Sequence, residues 1–118
     1  MKHLLLYLFI IISSFSYAQE STKDLKVIKS DIIKETQTNG KLDFFTRIKG
    51  KESDGYQVKP GLYASYREMA LYNWAKSVKD LGIEDLEELY KLYSEARKKE
   101  INPMEKELLK MGFNKELE

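Results

Sequence analysis

Residues 60–83, PGLYASYREMALYNWAKSVKDLGI, decide how the rest of the chain is read. Leu62, Tyr66, Met69, Ala70, Asn73 and Trp74 recur at steps of three and four, and Val78 and Leu81 continue the pattern. That period places them on one face of a helix, and Pro60-Gly61 marks its start. The spacing predicts a helix over about 62–81. Gly82 suits the left-handed residue that follows a helix end, with Val78 and Ile83 placed for the apolar contact that accompanies a Schellman stop.

Downstream the pattern repeats. Leu86, Leu89, Tyr90, Tyr93 and Ala96 form the apolar stripe of a second helix over about 84–101. Glu84, Asp85, Glu87 and Glu88 crowd its first turn and Arg97, Lys98 and Lys99 its last, an order that complements the helix dipole. Glu87 with Lys91, and Glu95 with Lys99, are Glu-to-Lys pairs four residues apart. So short a link predicts that these two helices run antiparallel. A third helix, about 103–111, is announced by Asn102 as N-cap, Pro103 in the first position and Glu105 three residues after the cap, a capping-box pattern. Met104, Leu108 and Met111 are read as its buried face and Gly112-Phe113 as its stop, with residues 114–118 as a frayed tail.

Upstream of Pro60 the chain is polar and rich in turn residues. Leu25, Ile28 and Ile32 have helical spacing, Ser21 or Thr22 supplies a cap and Asn39-Gly40 a stop, which makes a helix over about 22–37. Asn-Gly is also a hairpin signal, but a two-residue loop there would set Gln37 opposite Leu42 and Glu35 opposite Phe44, a poor match of faces. Leu42, Phe44, Thr46 and Ile48 alternate as a strand does, and a second strand near Tyr56–Val58 would complete a hairpin over about 42–59 through a turn at Ser53-Asp54-Gly55. The expected fold is mainly α: a three- to four-helix domain with a small β-hairpin between the first helix and the C-terminal helices.

Residues 1–18 read as a signal peptide and not as part of that domain. Lys2 and His3 form a basic start, Leu4 to Ile12 is unbroken apolar sequence, and Ser16 and Ala18 place small side chains at −3 and −1 of a cleavage before Gln19. The stretch from Leu4 to Ala18 would reach about 22 Å as a helix, short of the roughly 30 Å of a hydrocarbon core. An exported domain over 19–118 follows, periplasmic or secreted, touching membrane only through the signal peptide during export. The style of the signal and the Lys, Ile and Glu usage are bacterial in character.

Cleavage narrows the chemistry. The full chain carries 20 Lys and Arg against 19 Asp and Glu, and losing Lys2 leaves 19 against 19. A neutral domain lacks the electrostatic footprint of a nucleic-acid binder. The only histidine, His3, leaves with the signal, and there is no cysteine. Nucleophilic dyads and triads built on His or Cys, zinc sites with imidazole or thiolate ligands, haem attachment, redox dithiols and disulfides are thereby excluded. No metal site or cofactor is expected. Glu84, Asp85, Glu87 and Glu88 sit where helix-dipole complementarity places acids, and Asp43, Glu52 and Asp54 lack the register of a calcium loop. Lys23, Lys26, Lys29 and Lys34 are interleaved with Asp24, Asp31 and Glu35, a solvated mixed-charge face.

Aromatic residues are the more informative set. Tyr56, Tyr63, Tyr66, Tyr72, Trp74, Tyr90 and Tyr93 gather in and around the first two of the long helices. Tyr and Trp suit surfaces where apolar contact and a hydrogen bond are needed together. Tyr66, Tyr90 and Tyr93 lie on the apolar stripes and are assigned to the core. Tyr63 and Tyr72 lie at the stripe edges and are the candidate binding residues, with Arg67 on the rim. The expectation is a non-catalytic module that binds an envelope or secreted protein or peptide, as an inhibitor or accessory subunit. Two alternatives are a small carboxylate-based hydrolase acting on polysaccharide, which needs two carboxylates converging in an aromatic-lined cleft, and a structural envelope component.

Overall fold

The computed structural model describes residues 24–118, and the expected signal peptide at 1–18 lies outside them. Among the described residues the fold is mainly α, 56% helical, with four helices and one two-stranded antiparallel hairpin between the first helix and the later ones. Helix α1 covers 24–35, a single 3-10 turn covers Thr46–Ile48, and strands β1 (Gly55–Lys59) and β2 (Leu62–Ser65) form the hairpin. Helices α2 (Tyr66–Asp80), α3 (Leu86–Arg97) and α4 (Pro103–Phe113) complete the chain. No described helix is long and apolar enough to cross a membrane.

The hairpin is shifted from its expected place. It pairs Gly55 with Ser65, Tyr56 with Ala64, Gln57 with Tyr63 and Lys59 with Leu62, with a bulge between Gln57 and Lys59. Its turn is Pro60-Gly61, with Gly61 at φ +81°. Proline fixes its own φ and the following glycine accepts a positive one, the requirement of a type II turn. Pro60-Gly61 therefore ends a strand instead of starting a helix. Helix α2 begins four residues later, at a capping box: Ser65 Oγ accepts the Glu68 N–H at 3.1 Å while Glu68 Oε1 accepts the Ser65 N–H at 2.8 Å.

Residues 42–48 form turns, not a strand. Asp43, 2% exposed, accepts the Asn39 N–H at 2.9 Å and the Thr46 N–H at 3.0 Å, curling the chain into the 3-10 turn. Such local side-chain-to-backbone bonds compete directly with strand pairing. Burial pushes the Asp43 carboxyl up, and the donors from Thr46, Asn39 and Phe45 outweigh it, so its pKa lies below the ordinary 3.8.

The core centres on Trp74, Val78, Leu89 and Leu109, all fully buried, with Ile32 and Leu42 joining α1 and the following turn to it. Trp74 meets Tyr93 edge to face, centroids 5.5 Å apart, and Tyr93 meets Phe45 at 6.2 Å. The indole N–H of Trp74 donates to Thr36 Oγ1 at 3.0 Å, and that hydroxyl donates to the Ile32 carbonyl at 2.6 Å. A buried polar pair thus fastens the end of α1 to the centre of α2. Tyr90 and Tyr93 are buried as expected; Tyr66 is only half-buried, and Leu81 is exposed. Helix α2 closes with both Schellman bonds, Ile83 N–H to the Val78 carbonyl at 3.4 Å and Gly82 N–H to the Lys79 carbonyl at 3.0 Å.

Helix α3 starts at an Asp85 cap, whose side chain accepts the Glu87 N–H, and stops at Arg97 before a left-handed Lys98. In α4, the Asn102–Glu105 capping box and Pro103 appear as read from sequence. Gly112 is not its stop. A Cβ at Gly112 would lie 2.2 Å from the carbonyl oxygen of Tyr72, so the glycine lets α4 cross α2 at backbone contact. The helix instead runs to Phe113 and is closed by a left-handed Lys115 (φ +52°), where the Glu116 N–H reaches the Met111 carbonyl at 3.0 Å and the Lys115 N–H reaches the Gly112 carbonyl at 3.1 Å. Met104 is exposed, while Leu108 and Met111 are half-buried. The tail is tied down: the Tyr72 hydroxyl accepts the Leu117 N–H at 3.0 Å and donates to Glu118, and Lys76 also pairs with Glu118.

Candidate functional site

Of the three candidate binding residues, two are at the surface. Tyr63, in β2, is 68% exposed, and the Arg67 side chain is 45% exposed. Tyr72 is buried at 3%, because α4 and the C-terminal tail cover the side of α2 that carries it. It is a structural residue.

Arg67 opens onto a cavity of about 260 Å³ between the 3-10 turn, α2, α3 and the start of α4. Its floor is Glu105, 1% exposed. Glu105 Oε1 completes the capping box through the Asn102 N–H at 3.2 Å. Its other oxygen, Oε2, accepts the Tyr93 hydroxyl at 2.6 Å and Lys99 Nζ at 2.8 Å, and the Arg67 guanidinium lies 3.8 Å away. Burial pushes the Glu105 carboxyl up, but Lys99, Tyr93 and the Asn102 amide together hold it below the ordinary 4.5. Tyr93 is shifted up, first by burial and then by its bond to the Glu105 carboxylate. Arg97 and Glu52 complete the charged wall.

A second cavity, about 210 Å³, adjoins the first. Phe44, Tyr56, Tyr66 and Met69 line it, and Ile48 belongs to the walls of both. Tyr56 and Tyr66 pack against each other in its wall, with ring centroids 5.8 Å apart. The consecutive residues Phe44 and Phe45 point to opposite sides of Ile48, one into each cavity, and each carries an arginine on its ring: Arg47 is 5.6 Å from the Phe44 centroid and Arg97 is 4.0 Å from that of Phe45. The bonds that Asp43 makes to the backbone around them set this loop. The result is an apolar, aromatic cavity beside a charged one; the exposed Tyr63, paired with Gln57, lies on the hairpin face opposite Tyr56 and lines neither.

Glu52 and Glu105 share the charged cavity, which is the nearest approach to the paired carboxylates of a hydrolase. Neither suits a general acid, which needs a raised pKa. Glu105 is held ionised as described, and Glu52 is lowered by its own and the Gly50 backbone N–H groups. Another cleft, about 580 Å³, lies between α1 and the end of α2, where three carboxylates, Asp31, Glu35 and Asp80, stand among two lysines, Lys34 and Lys41. Among the described residues no group of three or more Asp, Glu, His or Cys side chains is arranged to hold a metal ion. No known protein family, curated protein or solved structure matches the chain.

Proposed function

We propose that this is a small exported protein that binds another protein or a peptide without catalysis, as an inhibitor or accessory subunit, through the face formed by the hairpin, the 3-10 turn and the start of α2. The observation that carries the reading is the pair of adjoining cavities, one aromatic and one holding arginines, with the exposed Tyr56 of the hairpin in the wall of the first. Aromatic residues and arginine are the side chains most often found at the energetic centre of protein interfaces, and an apolar cavity rimmed by fixed polar groups suits an anchoring side chain. The balance of charge after signal removal favours a protein over a nucleic acid as partner.

The test is site-specific photo-crosslinking in the producing cell. A photoreactive residue at position 56, in the wall of the aromatic cavity, should give a discrete adduct in the exported fraction, and the same residue at the exposed Lys110 of α4 should not. Adducts of equal yield at both positions, or none at 56, would remove the face from consideration.

A further inference from the structure

We infer that the twin-cavity face recognises an acidic peptide segment, the aromatic cavity taking a large apolar side chain and the neighbouring charged cavity a glutamate or aspartate carboxylate. This rests on the binding function proposed above and names the chemistry of the partner.

Charge complementarity is the main argument. Three cations, Arg67, Arg97 and Lys99, face two carboxylates, Glu52 and Glu105, in the charged cavity. Glu105 Oε2 is already engaged by Lys99 at 2.8 Å and by Tyr93 at 2.6 Å, and Arg67 stands off at 3.8 Å. Among the described residues, no carboxylate oxygen lies within 4.0 Å of Arg97 or of Arg47. Arg97 is nonetheless held in place, its guanidinium 4.0 Å from the Phe45 ring centroid. A guanidinium held against an aromatic ring has less rotamer freedom to lose and keeps N–H donors for a carboxylate, which it can grip through two parallel bonds. The buried Glu105 keeps the cations together that would otherwise repel, so the cavity is built to leave one positive charge for an incoming group.

The neighbouring cavity supplies the second half. Tyr56, Tyr66, Phe44 and Met69 offer aromatic and sulfur contacts to an apolar side chain, and Ile48, shared by both walls, is the partition over which the peptide backbone would pass. An acidic group on Arg97 and an apolar side chain beside Tyr66 therefore belong to one short segment of a partner.

The probe is a set of short peptides, N-acetylated and C-amidated, with a fixed phenylalanine and a single glutamate at successive offsets, each matched by its glutamine isostere. Binding to the purified full chain is read by fluorescence polarisation. At one or more offsets the glutamate peptide should bind about tenfold tighter than its isostere, the scale of one hydrogen bond between charged groups. That preference should shrink as salt is raised. Arg97→Gln should abolish the preference, and Arg67→Gln, the second variant should the first misfold, should weaken it. Equal affinities for the two peptides, no binding by either, or competition by free glutarate as effective as by the peptide would overturn the inference. An adduct at position 56 with equal peptide affinities removes the acidic partner alone, whereas loss of the adduct removes the binding face.

Discussion

Replacing Gly112 by alanine separates two opposing effects whose sizes follow from the geometry. A methyl group at this position in the last turn of α4 favours the helix by at most about 1 kcal/mol over glycine. The same methyl carbon would sit 2.2 Å from the Tyr72 carbonyl oxygen, 2.9 Å from its carbon and 3.0 Å from its Cα. A carbon-to-oxygen contact tolerates about 3.3 Å, so α4 has to retreat from α2 by about 1 Å. No rotamer change relieves it, because every atom met is backbone. A gap of that size forfeits a quarter to a half of each dispersion contact along the crossing, including those of the buried Leu109 and Phe113. Overpacking of this kind costs about 3 kcal/mol at the unrelieved end of its range, leaving a net loss of about 2 kcal/mol. For a domain of this size that is a fall in Tm of about 10 °C, read by circular dichroism during heating and checked against urea denaturation. Gly55→Ala is the control, since a Cβ there meets nothing within 4 Å. A Gly112→Ala protein as stable as the parent, or more so, would refute the close crossing.

Four further outcomes are expected. Glu105→Gln removes the charge from its bonds with Lys99 and Tyr93 and should cost about 2 kcal/mol; because the folded pKa of Glu105 lies below its ordinary 4.5, its contribution is complete above that value and is lost as pH falls through the folded pKa, so the parent should lose stability in acid from about pH 4.5 downward and the variant should lose less over the same interval. Thr36→Val deprives the buried Trp74 N–H of its acceptor and should cost about 1–3 kcal/mol in urea, with Trp74→Phe in the same background recovering part of the orphaned-donor term in a double-mutant cycle. Lys98→Gly relieves an exposed left-handed residue (φ +53°) at the end of α3 and should raise stability by about 0.5–1 kcal/mol. Tyr63→Ala should change stability by less than about 0.5 kcal/mol and leave peptide affinity unchanged, because its ring lies on the hairpin face opposite the cavities.

Where one local interaction decides an element, the sequence could be read directly. The Asn102-to-Glu105 capping box, the Gly82 stop and the stripe of α3 appear where the residues place them, because caps and helical periods involve neighbours a few residues apart. The hairpin was misplaced because Pro60-Gly61 serves equally as helix punctuation and as a type II turn. The signal that separates the two was present: Ser65 and Glu68 have capping-box spacing, which starts the helix at Tyr66 and leaves Leu62–Ser65 for a strand. Alternation from Leu42 to Ile48 misled for a different reason. Asp43, at the start of that stretch, satisfies backbone donors on both sides of itself and makes a curled loop more favourable than an extended strand.

The site was legible only in fragments, and Tyr72 shows why. A single apolar stripe implies one covered face, yet α2 is covered on more than one side: Leu71, Trp74, Ala75 and Val78 face the main core, while Tyr72 lies under α4 and the tail. The residue that permits the second cover is Gly112, forty positions away, whose meaning as a crossing point does not exist until the helices meet. Glu105 is the converse case. Its place in the capping box accounts for Oε1, and the burial of Oε2 against Tyr93, Lys99 and Arg67 is invisible in the local pattern. A carboxylate that caps a helix with one oxygen and gathers cations with the other links the start of α4 to the charge of the binding face. Weakening Glu105 should therefore disturb the stability of α4 and the acid preference of the face together, whereas Arg97→Gln should alter the preference alone.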